Sequence, residues 1–292
     1  MKTEIFVSER YELIALIFRL SGRWEFNAKD TPYQNTLAEK FARFENHPAV
    51  EFVQNIPAGF DMASSFAMHL TKAEEHFELI PSRPALFSCG RWTEENTQGL
   101  LPLVNEFYKV TNFAAFFQKN MPYYQELSAR FNSQLYSRLD KNWFDTRRVG
   151  LAELRPYVSP NNTGCGYGPS LWDANGNIVG VHPILPQTDD FSGSGGIPFL
   201  VHEFCHSFSN PISEKWYAED ENFRKLCNTA VDKEKLPYYS EGITMAREYV
   251  TRANTIRYMS EVAGADVAAL CEKEIASGFT HISHVYSMVM GV

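Results

Sequence analysis

The string His202-Glu203-Phe204-Cys205-His206 constrains this chain more than any other, because two histidines four positions apart share one metal ion when the backbone between them is helical. At 3.6 residues per turn the two side chains lie about 40° apart on one face, so both imidazoles reach the same point. A composition with 8 histidines in 292 residues yields such a string by chance in roughly one or two chains per hundred, so its setting decides its meaning. Ile197, Phe199, Leu200 and Val201 lead into it, and Phe204 and Phe208 follow at helical spacing, which predicts a mostly buried helix ending near Asn210-Pro211. Two imidazoles and a carboxylate on an apolar helix are costly to bury unless something binds them.

Zinc takes neutral imidazole nitrogen readily, and a site with three protein ligands keeps a fourth position for water, whose pKa falls toward ~7. Glu203, beside the histidines without being a ligand, is then placed to take that water's proton. The third ligand comes from elsewhere. A metzincin-type site would need glycine three residues and histidine six residues after His206, and Ser209 and Ile212 occupy those positions. The other common solution takes a glutamate from a later helix. Residues 240–258 predict one, with Ile243, Ala246, Val250, Ala253 and Ile256 recurring at three- and four-residue intervals.

Glu241 and Glu248 project from nearly the same side of that helix. With Ser240 as N-cap, Glu241 falls in the first turn, where a carboxylate ordinarily complements the helix dipole. Glu248 sits mid-helix among apolar neighbours, and spacing alone reads it equally as a ligand or as an exposed i, i+4 ion pair with Arg252. Glu219, Glu214 and His182 are weaker ligand candidates.

The block 197–211, with Glu248-Tyr249-Val250-Thr251-Arg252-Ala253 and Ile256-Arg257-Tyr258 downstream, resembles an uncharacterised bacterial family of gluzincin-like zinc metallopeptidases. Residues 11–22 and His47-Pro48-Ala49-Val50 extend the likeness over most of the chain, although only the first motif is specific by itself. The resemblance implies Glu248 as third zinc ligand in preference to Glu241, and Glu203 as catalytic base. It gives a reaction class without a substrate: zinc-assisted hydrolysis of a peptide or protein. A tetrahedral oxyanion needs a further donor, for which Arg252, Tyr258 and Tyr167 are candidates. Tyr258 is attractive because a phenol donates without pairing to a ligand carboxylate, whereas Arg252 alternatively orients Glu248 from outside the ligand set. Two other readings stand beside this one. A non-catalytic metal-binding or interaction protein would have no use for Glu203, and a metal-dependent hydrolase of a non-peptide amide or ester would use the same residues.

The expected fold is α+β and mainly helical, with a small antiparallel sheet next to a zincin-type active-site helix. Helices are predicted over 11–20, 103–117 and the stripe Tyr124, Leu127, Phe131 and Leu135, with Phe107, Phe113, Phe116 and Phe117 as core. From 149 the pattern changes: 149–158 and 164–172 read as strands, and Asp173-Ala174-Asn175-Gly176-Asn177 as a turn before a strand over 178–184. This divides the chain into a mainly helical region 1–145 and a region 146–292 holding the hairpin, the motif helix and the glutamate helix. In zinc peptidases of this architecture a sheet edge holds the substrate as an added strand, and Gly164-Cys165-Gly166-Tyr167-Gly168 would permit close approach or serve only a bulge. Residues 192–196 read as a loop leading into the motif helix.

A hydrophobic content of 44% supports a sizeable core, and a net charge of -8 offers no general attraction for nucleic acid. No run is long enough to span a bilayer; the most apolar, 13–18, reads as a buried helix. Glu4, Glu9 and Glu12 do not suit a basic leader, so a cytoplasmic location is expected, the alternative being an exported protein whose leader has been removed. Cysteines at 89, 165, 205, 227 and 271 are odd in number and widely spaced, unlike a disulfide framework. Cys205 reads as a small packing residue, and Cys165 as a ligand only if its loop folds onto the site.

Overall fold

Leu13, Ile14, Ala15, Leu16, Ile17 and Phe18 have no exposed surface, so the first helix, α1 (Glu9–Leu20), is covered on every side. Ser8 caps it by accepting from the Tyr11 amide. The computed structural model describes residues 4–28, 31–56, 59–145, 153–162, 164, 166–193, 196–229, 234–236 and 242–291. The chain is mainly helical α+β and forms two units, 1–138 with 150–193, and 139–149 with 194–292. Among the described residues no helix is long and apolar enough to cross a membrane.

The first unit packs α2 (Pro32–Phe41), α3 (Pro48–Gln54), α4 (Phe60–Met68), α5 (Glu94–Val110), α6 (Phe113–Lys119) and α7 (Met121–Gln134) with α1. The predicted helix over 103–117 is two helices, because Asn112 adopts a left-handed conformation (φ 51°) between α5 and α6. Phe107, Phe113, Phe116 and Phe117 are buried as expected. An antiparallel pair absent from the sequence reading, β1 (Leu70–Ala73) and β2 (His76–Leu79), precedes α5.

The remaining strands are β3 (Glu153–Leu154), β4 (Tyr157–Ser159), β5 (Ser170–Trp172), β6 (Ile178–Val181) and β7 (Ile184–Pro186). The predicted hairpin forms as β5 and β6, with Gly176 in the turn at φ 83°. β3 pairs with β6 in parallel, and β4 with β7 likewise. These strands belong with the N-terminal helices, so the division expected at 145/146 falls elsewhere. The reason is long-range pairing: the Val158 amide donates to the Phe6 carbonyl, and Ser159 Oγ donates to Glu12.

Glu12 is 1% exposed on α1, and its donors among the described residues are neutral: Ser159 Oγ, the Tyr33 hydroxyl at 3.2 Å and the Asn161 amide. Tyr33 also bonds Tyr124 at 2.8 Å. Burial outweighs these bonds and pushes the carboxyl from its ordinary 4.5 up to about 8.

The second unit contains α8 (Lys141–Asp145), α9 (Gly196–Glu219), α10 (Glu221–Thr229), α11 (Gly242–Ala263), α12 (Val267–Ala276) and α13 (Ile282–Met290). Its largest helix contact is between α9 and α11. Met245, Ala246, Tyr249, Val250, Ala253 and Ile256 of α11 meet Phe223 and Cys227 of α10 and Ile282 and Val285 of α13 in one apolar cluster. Gly242 opens α11 at a point where an added Cβ would collide with Asn228 and lie 2.7 Å from the Tyr217 hydroxyl. Trp143 and Phe144 of α8 pack on Phe208 and Phe204 of α9.

The motif helix does not stop at Asn210-Pro211 but runs on to Glu219. Pro211 removes one backbone donor, yet tertiary packing keeps the helix going: Ser209 and Ser213 are fully buried, and Asn254 Nδ2 of α11 donates to Ser209 Oγ at 3.1 Å. The predicted glutamate helix is α11, five residues longer than expected at its C-terminal end, while Ser240 and Glu241 lie outside the described residues.

Candidate metal centre

Three ligating groups converge where α9 faces α11. His202 Nε2 and His206 Nε2 are 3.1 Å apart. Glu248 presents Oε2 to the first and Oε1 to the second, each at 3.5 Å. Zinc bonds of about 2.0–2.2 Å at tetrahedral angles put neighbouring ligand atoms roughly 3.3–3.6 Å apart, so each imidazole lies at a ligand-like distance from the other and from one carboxylate oxygen of Glu248. Among the described residues this is the group of three histidine, cysteine or carboxylate side chains with that convergence. The three side chains are 12–18% exposed, at the rim of the buried layer.

The donor set also fits a cation chemically. Glu248 Oε2 is buried and receives no hydrogen bond from the described residues, which leaves an acceptor lone pair open. Burial, the adjacent His206 and Arg252 hold the His202 imidazole well below its ordinary range, so it is neutral near pH 7, the form that ligates. His206 Nδ1 lies 3.0 Å from Asn210 Oδ1 and 3.2 Å from Thr251 Oγ1. A proton on Nδ1 facing those acceptors keeps the Nε2 lone pair turned toward the other ligands. Asn210, which the sequence offered only as a helix stop, is therefore part of the site's support, and the i, i+4 spacing from His206 was the available signal.

Glu203 is 5% exposed on α9, next in sequence to His202. Glu248 lies beside both histidines and also stands 3.4 Å from Arg252 Nε, and neither partner of that i, i+4 pair is freely exposed. The weaker ligand candidates are placed otherwise. Glu214 pairs with Arg247 at 2.9 Å, and Glu219 is an exposed partner of Lys215. His182 belongs to the first unit, where its Nδ1 meets the Arg155 carbonyl at 3.2 Å and burial lowers its pKa to about 4. Cys205 is fully buried, and Cys165 lies outside the described residues.

The candidate oxyanion donors are held by other partners. Tyr258 is 1% exposed, its hydroxyl accepts from the Asp140 amide at 2.8 Å, and its ring packs against Trp143 and Phe144. Its geometry is that of a core tyrosine fastening the segment around α8 to α11. Tyr167 belongs to the first unit and exchanges backbone hydrogen bonds with Ile184. Arg252 is engaged by carboxylates: besides Glu248 it reaches Glu274 Oε2 through Nη1 at 2.7 Å. That contact pattern suits orientation of Glu248 better than donation to a substrate.

Comparison with known proteins adds no relative: no family model, no curated protein and no solved structure matches the chain.

Proposed function

We propose that the protein is a zinc-dependent hydrolase acting on peptide bonds, with His202, His206 and Glu248 holding the metal and Glu203 serving as general base. The observation that carries the reading is the convergence of His202 Nε2 and His206 Nε2, 3.1 Å apart on α9, with the two carboxylate oxygens of Glu248 on α11, one at 3.5 Å from each imidazole, and with a buried glutamate, Glu203, between the histidines. When bound, zinc supplies a Lewis acid that acidifies a water and polarises the scissile carbonyl. Glu203 accepts the water's proton at its carboxylate and returns it to the departing amine. Asn210 and Thr251 hold His206 in the ligating tautomer, and Arg252 fixes the direction of Glu248. The sequence resemblance to gluzincin-like metallopeptidases supports the same assignment of roles.

The test is metal content by elemental mass spectrometry, together with turnover on a peptide library. Native protein, His202→Ala, Glu203→Gln and Glu248→Ala are compared after equal dialysis. About one zinc per chain in native and Glu203→Gln protein, with hydrolysis in the native protein alone, is the expected result. Zinc retained without hydrolysis of any peptide would transfer the site to a non-catalytic metal-binding protein. Hydrolysis of a non-peptide amide or ester alone would keep the mechanism and change the substrate. Failure to bind zinc even when it is added would overturn the reading.

A further inference from the structure

The contacts of Arg252 extend the metal centre into a helix that carries no ligand. Glu248 and Arg252 stand one turn apart on α11, whereas Glu274 lies in the last turn of α12 and Phe279 just beyond it. The chain leaves α12 through a Schellman turn. Gly278, at φ 107°, donates to the Ile275 carbonyl, and the Phe279 amide donates back to the Glu274 carbonyl at 3.0 Å. That turn puts the Glu274 and Phe279 side chains next to each other, where they form a two-sided seat for a guanidinium. Glu274 Oε2 takes Nη1 at the edge, at 2.7 Å, and the Phe279 ring lies under the guanidinium carbon at 3.9 Å from its centroid. Phe279 is itself fixed, with Tyr249 of α11 meeting its ring edge-on and the Tyr249 hydroxyl accepting from the His281 amide.

The seat matters because of what an unseated Arg252 would do. An arginine one turn after a glutamate can close a two-pronged pair with it, and such a pair would turn both carboxylate oxygens of Glu248 away from His202 and His206. With Nη1 on Glu274, Nε stands 3.4 Å from Glu248 Oε2, and Glu248 keeps one oxygen toward each imidazole. We infer that Glu274 and Phe279 are positioning residues of the metal centre, acting through Arg252 on the orientation of Glu248. This rests on the reading of His202, His206 and Glu248 as metal ligands.

The experiment measures zinc affinity by chelator competition and the visible absorption of the cobalt(II)-loaded protein, which reports ligand geometry directly. Native protein is compared with Glu274→Gln, Phe279→Leu, Arg252→Lys and the ligand variant Glu248→Ala. The expected result is that Glu274→Gln weakens zinc binding by roughly 10-fold and changes the cobalt spectrum, with Arg252→Lys lying between it and native protein. Glu274 is 22% exposed, so Glu274→Gln carries the test even if Phe279→Leu fails to fold. Glu274→Gln with native affinity and an unchanged spectrum, while Glu248→Ala loses metal, would overturn the positioning role and leave the ligand set standing. A native protein that binds neither ion would overturn both.

Discussion

Glu12 and Glu248 are both carboxylates within the helical layers of their respective units, and the two units accommodate them by opposite means. Around Glu12 every donor among the described residues is neutral, two hydroxyls and a backbone amide, and burial drives the group toward its protonated form. Around Glu248 stand two imidazoles and a guanidinium, all within 3.5 Å, and one carboxylate oxygen is left without a hydrogen bond from the described residues. A carboxyl surrounded by neutral donors satisfies itself by holding a proton. One that faces ligating nitrogens with an open lone pair is arranged for a cation. Burial alone therefore does not mark a functional acid; the charge and directionality of its neighbours do.

The largest effect that separates the two sites is metal retention. His202→Ala and Glu248→Ala should lose zinc on dialysis by more than the roughly 10–100-fold that outer contacts control, while Glu12→Gln keeps one zinc per chain by elemental analysis. Zinc loss in Glu12→Gln would break the contrast. Next is turnover: Glu203→Gln should lower kcat on a cleaved peptide by about 10²–10⁴ with zinc content intact, and Glu12→Gln should leave kcat at the native level.

The proton held by Glu12 gives a third, smaller effect of definite sign. Its folded pKa, about 8, stands above its ordinary 4.5, so the folded chain binds the extra proton between those values. This contribution to stability is full below about pH 4.5 and is lost as the pH rises toward 8, by at most about 5 kcal/mol at 1.36 kcal/mol per unit. Urea unfolding of native protein and Glu12→Gln from pH 5 to 9 should show a shallower decline in the variant; parallel curves would mean that Glu12 is ionised when folded. The smallest effect is at Asn210. Asn210→Ala removes one acceptor from His206 Nδ1, leaves Thr251, and should weaken zinc binding about 10-fold in chelator competition.

The convergence of His202, His206 and Glu248 was legible in the sequence because helical periodicity reports which side chains share a face. His202 and His206 follow from spacing, and Glu248 from its place on an apolar-striped helix together with the family resemblance. What surrounds those three side chains was not legible. Asn210 beside a proline reads as a helix end, and only packing against Asn254 shows that the helix continues. Glu274 and Phe279 are unremarkable in sequence, and the turn at Gly278 becomes meaningful once Arg252 is seen between them. The placement of the later strands with the N-terminal helices rests on Val158 pairing with Phe6, a partnership across more than half the chain that no local pattern encodes.

The second unit takes its first segment from residues 139–149, between two stretches of the first unit, and the rest from 194 onward. During synthesis, α8 therefore emerges well before the surfaces that cover it. Trp143 and Phe144 wait for Phe204, Phe208 and Tyr258 while all of the first unit's sequence is already made. A nascent chain halted near residue 193 could complete one unit and would still carry two unsheltered aromatic rings, a natural handle for a chaperone. The last hundred residues, expressed alone, would carry His202, His206 and Glu248 and lack the aromatic lid over the helices that present them.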